Sequence, residues 1–231
     1  GKDSWDVSDS TVVKSVLPGG VNHDKFMGWL DKVADYLNSI QTPEGVKVPV
    51  LFRPWHEHTG SWFWWGQNLC STEDYKALWR MTYERLQEKG ATQLLYAYSP
   101  GTEPKDSVEY LERYPGDKYV DVVGMDNYWD FRPDGGDTSL VVLKARILTQ
   151  YAQKHGKLSA ITETGTQTRD SLWYTQLLSI LRSEGVALNY VCTWSGFSPY
   201  KGHPAAADFC RFKRDTLVLF ADEIPNFYTW H

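Results

Sequence analysis

Residues 48–66 read Val48-Pro49-Val50-Leu51-Phe52-Arg53-Pro54-Trp55-His56-Glu57-His58-Thr59-Gly60-Ser61-Trp62-Phe63-Trp64-Trp65-Gly66. The first five form a short apolar run, the pattern of a strand buried on both faces. Upstream, Phe26, Leu30, Val33 and Leu37 share one helical face across residues 23–40, and Gly45 separates that helix from the strand. The unit helix–glycine–strand then repeats. Residues 71–89 open on Ser71 with Asp74 three positions on, a capping pattern, and stop at Gly90 before a strand at 93–98. Helices at 107–113, 139–155 and 170–184 precede strands at 119–125, 158–162 and 188–194, and a last helix covers about 207–222. Strands alternating with helices imply parallel βα units and an α/β fold.

Polar and aromatic residues gather just after the strands: His56 and Glu57, residues 126–129, residues 163–166, residues 194–200. In parallel α/β folds, sites lie at the carboxyl ends of strands. Two architectures hold five such units: an open sheet, or the last five βα units of a (β/α)8 TIM barrel. In the barrel, Glu57 after the first strand and Glu163 at the fourth are three units apart, which sets them across the mouth from one another. Paired carboxyl groups flanking a bond are what glycoside hydrolysis needs. Each glutamate alone also fits a cap or an ion pair.

The neighbouring residues suit the same chemistry. Arg53 could pair with a carboxylate and keep it ionised. His56 and Glu57 can both face a site only if the strand ends or bulges there, because strand neighbours point to opposite faces. A Tyr128 hydroxyl could donate to a carboxylate. Trp62, Phe63, Trp64, Trp65, Trp129 and Trp194 are candidate sugar platforms. Adjacent residues cannot all face one way, so about half of the run 62–65 belongs to the core.

The 231 residues suffice for one domain, read as a single catalytic domain over residues 1–231. A net charge of −5 with no basic run argues against a nucleic-acid backbone as partner. No stretch approaches the roughly 20 apolar residues of a membrane span. Three cysteines, Cys70, Cys192 and Cys210, fall in no zinc spacing, and no GxSxG elbow or phosphate loop is present. His56 and His58 lack a regular metal-ligand pattern, so no metal and no cofactor is expected. The partner read from these residues is a polysaccharide or oligosaccharide; oligomeric state is not legible.

Through residues 53–66 and 162–165 the chain resembles glycoside hydrolase family 26, chiefly endo-β-1,4-mannanases. The likeness extends through Leu95-Tyr96-Ala97-Tyr98-Ser99-Pro100, Arg113-Tyr114-Pro115-Gly116-Asp117 and residues 120–128. It implies a (β/α)8 barrel working with retention, with Glu57 as acid/base and Glu163 as nucleophile. His56 and Tyr128 match residues that position nucleophile and sugar; Trp62 and Trp194 match platforms; Asp121 and Asp126 are supporting residues. The family's first three strands have no counterpart, so the chain is expected to be an N-terminally incomplete barrel. Expected substrates are mannan, galactomannan or glucomannan, with β-1,3-xylan or mixed-linkage β-glucan as the alternative on the same fold. A non-catalytic glycan-binding module is the alternative of another class. A polymeric substrate also implies an extracytoplasmic location.

Overall fold

Residues 3–132, 135–166, 170–195 and 199–224 are described in the computed structural model. Strands β1 (Val50–Phe52), β2 (Leu94–Tyr98), β3 (Val122–Asp126), β4 (Leu158–Thr164) and β5 (Tyr190–Thr193) lie side by side in chain order. All four pairings are parallel, with Val50 opposite Leu94, Val123 opposite Ser159 and Ile161 opposite Val191. Parallel neighbours in sequence order are what successive right-handed crossovers produce. The result is a half-barrel of βα units.

The helices are α1 (Val12–Val16), α2 (His23–Ser39), α3 (Thr72–Glu88), α4 (Ser107–Leu111), α5 (Thr138–His155), α6 (Trp173–Leu181) and α7 (Ala206–Phe212). Ser71 caps α3 as its sequence predicts, its side chain accepting from Asp74 N at 3.1 Å. Gly156 ends α5 in the left-handed conformation, φ 62° and ψ 40°, which costs a residue without Cβ little. The apolar face of α3 (Tyr75, Leu78, Trp79, Leu86) is buried in one cluster with Tyr96 and Tyr98 of β2. Helix α2 joins that cluster through Phe26, Leu30, Ala34 and Leu37. Arg85 of α3 also grips Asp31 of α2 with two bonds of 2.6 and 2.8 Å.

Three expectations are corrected. The last helix stops at Phe212 instead of running to 222. Asp215 turns its carboxylate onto Leu217 N at 3.0 Å, a local bond that competes with the helix. The third strand starts at Val122 because Asp117–Tyr119 form a 3-10 turn. Finally, the strands are not apolar and covered throughout. Leu51 and Leu95, opposite one another, are 42% and 41% exposed, because they point away from the face on which Val50 and Phe52 pack.

Candidate active site

Every strand delivers its chemistry at the carboxyl end, and β1 does so through an unusual turn. The strand ends at Phe52, so Glu57 lies beyond it, not on it. Trp55 and Glu57 adopt φ of 51° and 52°, the left-handed region that bulky residues rarely enter. The surroundings impose this. Tyr75 Oη donates to Trp55 O at 3.0 Å, and Trp65 Nε1 to His56 O at 2.8 Å. Glu57 N donates to Ser99 O at 2.8 Å, and Arg113 Nη1 to His58 O at 2.9 Å. Strained backbone persists where packing over-determines it in this way.

Strand β4 uses a different device. Its pairing with β3 slips between Met125 and Asp126, so that Asp126 faces Glu163 after Met125 faces Ile161. An extra residue breaks the alternation of side chains. Thr162 and Glu163, adjacent in sequence, therefore both reach one polar cluster. At its centre is Arg53, donating to Asp126 Oδ2 at 2.7 Å and to Glu163 Oε2. Asp126 Oδ1 accepts from Ser99 Oγ at 2.6 Å and Thr162 Oγ1 at 2.8 Å. Tyr128 Oη donates to Glu163 Oε1 at 2.8 Å, fixing its second oxygen.

Glu57 is held differently. Its Oε2 accepts from Trp62 Nε1 at 2.8 Å. Burial pushes its carboxyl above the usual range; the Trp62 bond opposes that, and the charge of Glu163 adds to it. His56 is pushed down to about 4, by burial first and by Arg53 second, so it is neutral near pH 7. Burial drives Asp126 up to about 8 against the pull of Arg53. Among the described residues, ligand atoms of His56, Asp126 and Glu163 lie within 4.8 Å of one another. Arg53 already bonds an oxygen of each carboxylate there, so the guanidinium supplies the positive charge of that cluster.

The structure brings Arg53, His56, Glu57, Trp62, Asp126, Tyr128 and Glu163 together, as their sequence positions predict. Trp194, directly after β5, is 51% exposed and donates its backbone N–H to Thr164 O at 2.7 Å. Trp129 is exposed at the same end, with the Arg132 guanidinium 3.5 Å from the centre of one of its rings. Two expectations fail. Trp65 is no platform: it is buried and stacked on Phe63 at 4.5 Å, and its role is the bond to His56 O. Asp121 sits before β3, at the other end of the sheet, where its carboxylate accepts from Tyr96 N at 2.8 Å. Residues 196–198, within the polar and aromatic segment after β5, and residues 167–169 lie outside the described residues.

Sequence reading missed Ser99, Thr162 and Trp5. The first two are hydroxyls at strand ends, a signal that was available. Trp5 is exposed and tilted over Phe63 at 4.8 Å, a pairing nothing in its local sequence announces. His58, beside Glu57, takes no part. It is fully buried between Tyr75 and Tyr98, at 4.3 and 4.9 Å, and burial holds it well below its usual value.

Known proteins are similar to this chain in sequence and in structure. The family model for glycosyl hydrolase family 26 matches residues 4–198. A mannan endo-1,4-beta-mannosidase of Bifidobacterium adolescentis is 34% identical over 246 residues, covering 94% of this chain and 24% of that protein. One from Bacillus subtilis is 32% identical over 175 residues, covering 72% of this chain and 43% of that protein. The chain thus spans less than half the length of either relative. The structure of a GH26 beta-mannanase from Bacteroides ovatus superposes with a TM-score of 0.90 at 47% identity, covering 100% of this chain and 70% of that one. With the family model matched over most of its length, this chain belongs to glycosyl hydrolase family 26.

Proposed function

We propose that this chain carries the catalytic site of an endo-acting β-1,4-mannanase that works with retention. What supports the reading best is the unequal treatment of two carboxyl groups. Glu163 accepts from a guanidinium and a phenol, partners suited to an anion; Glu57 sits in a buried setting that favours its protonated form. Environments that push two carboxyl groups apart assign acid and nucleophile.

In this reading Glu57 gives its proton to the glycosidic oxygen while Glu163 Oε attacks the anomeric carbon. Glu57 then takes a proton from water as that water releases the sugar. Neutral His56 and Tyr128 hold the nucleophile and the sugar in place. The five βα units are the last five of a (β/α)8 barrel, with β1 as its fourth strand and β4 as its seventh. A polymer too large to enter a cell places the reaction outside the cytoplasm.

Galactomannan, glucomannan, xylan and lichenan assayed side by side test the substrate; faster release from xylan or lichenan than from both mannans would replace it. Glu163→Ala tests the mechanism. Activity on an activated mannoside should collapse and return with azide, giving a mannosyl azide. Unchanged activity without azide removes Glu163 from the role. Tight mannan binding with no product on long incubation would instead indicate a glycan-binding module.

A further inference from the structure

The segment leaving β2, residues 99–103, is fixed at every step. Ser99 O accepts from Glu57 N at 2.8 Å and Pro100 O from Asp126 N at 2.9 Å. Gly101 N donates to Thr59 Oγ1 at 2.9 Å, and Lys144 Nζ donates to Thr102 O at 2.6 Å. The next residue, Glu103, is exposed, yet its side chain is held too: Thr59 Oγ1 donates to its Oε2 at 2.7 Å. The carboxylate lies folded against Gly101, where a Cβ would come within 2.5 Å of Oε2. A larger residue at 101 would push the carboxylate out of this placement.

An exposed glutamate ordinarily loses nothing by waving in solvent, and ordering it costs side-chain entropy of about 1.5–2 kcal/mol. Here a rigid loop, a glycine and a threonine hydroxyl keep one in place. Among the described residues no lysine or arginine pairs with it, so the charge is left for something else. Its partner Thr59 belongs to the Glu57 segment, whereas Glu163 is clamped from Arg53 and Tyr128. Glu103 thus lies near Glu57, the group that in the mannanase reading gives its proton to the departing sugar. Burial is the main influence raising the Glu57 carboxyl, and the charge of Glu103 is felt there as well.

We propose that Glu103 contacts substrate, its carboxylate accepting hydrogen bonds from hydroxyls of the sugar in the leaving-group position. A carboxylate oxygen pair matches the neighbouring hydroxyls of a pyranose, and hydrogen bonds to a charged acceptor are the strong ones. The residue selects a sugar leaving group over one without hydroxyls. The inference rests on the mannanase reading above and adds a specificity determinant to that site.

Mannopentaose and nitrophenyl β-mannobioside separate a sugar leaving group from an aryl one. Glu103→Ala should lower kcat/KM on mannopentaose by about tenfold or more, the loss of a bond to a charged group. On the aryl substrate it should stay within about twofold of the parent, because glycone contacts are untouched and a nitrophenolate departs with little need of the Glu57 proton. Glu103→Gln, which keeps shape and one acceptor, should fall between. Equal losses on both substrates would overturn the assignment, and so would parent-like kinetics on both; a loss confined to mannopentaose but accompanied by a moved alkaline limb of the pH–rate profile would instead make Glu103 a brace for Glu57. A parent protein that cleaves neither substrate overturns the mannanase reading and this inference with it. A parent active on both, with an indifferent variant, overturns Glu103 alone.

Discussion

Replacing Arg53 by Met removes a guanidinium that bonds both Asp126 and Glu163. The geometry sets the size of the effect. Nη1 is 2.7 Å from Asp126 Oδ2, and Nη2 bonds Glu163 Oε2; the Asp126 side chain is fully buried. Breaking a buried pair by removing one partner costs about 3–5 kcal/mol once the group left behind is ionised, which for Asp126 means above about pH 8. At about 2–4 °C per kcal/mol for a domain of this size, melting should fall by about 6–20 °C. The pH dependence has a definite sign. A carboxyl raised on folding contributes stability that is complete below its unfolded value and lost as pH climbs to its folded value. With Arg53 present that loss ends near 8 for Asp126. Without the arginine, which pulls Asp126 down, the loss continues beyond it. Thermal melts at pH 6 and pH 9 should show the gap between variant and parent widening at the higher pH. Arg53→Lys should recover only part, because an ammonium lacks the fork that spans two carboxylates. A drop below about 2 °C at both pH values, or a gap that narrows at pH 9, refutes the argument.

Three further outcomes are expected. Tyr128→Phe removes the 2.8 Å bond to Glu163 Oε1 and should cost about 10- to 100-fold in kcat/KM with little change in melting; a change under threefold would separate Tyr128 from the nucleophile. Trp62→Phe removes the donor that opposes the upward shift of Glu57, so Glu57 should hold its proton to higher pH and the alkaline limb of the pH–rate profile should move up; a downward move contradicts it. Gly124→Ala puts a Cβ 2.3 Å from Thr162 Cγ2, forcing Thr162 away from Asp126. Overpacking of this kind costs about 1–3 kcal/mol, and an unaltered melt with parent-like activity would show that the β3–β4 contact yields more easily.

Local pattern carried much of the fold. Helices α2, α3 and α5 stand within a residue or two of where their apolar spacing puts them, because a helical face and a glycine stop are written in adjacent residues. The run 62–65 divided as alternation requires, with Phe63 and Trp65 buried while Trp62 and Trp64 are less so. Boundaries failed where a side chain bonds its own backbone, as at Asp215. Asp121 failed because a carboxylate beside a strand looks the same at either end of it until the strand's direction relative to the site is known.

By itself the sequence determined that parallel βα units would form and that acidic and aromatic residues would collect at the strands' carboxyl ends. Periodicity acts over a few residues, so it survives being read along a line. Only the tertiary structure decided how Glu57 and Glu163 differ. That difference depends on Arg53, Tyr128 and Trp62 meeting them across 110, 35 and 5 positions of chain. It also depends on a left-handed turn at Glu57 and an extra residue in β4, which re-aim side chains that strict alternation would turn away. Charge and burial act through space, and folding alone sets those separations.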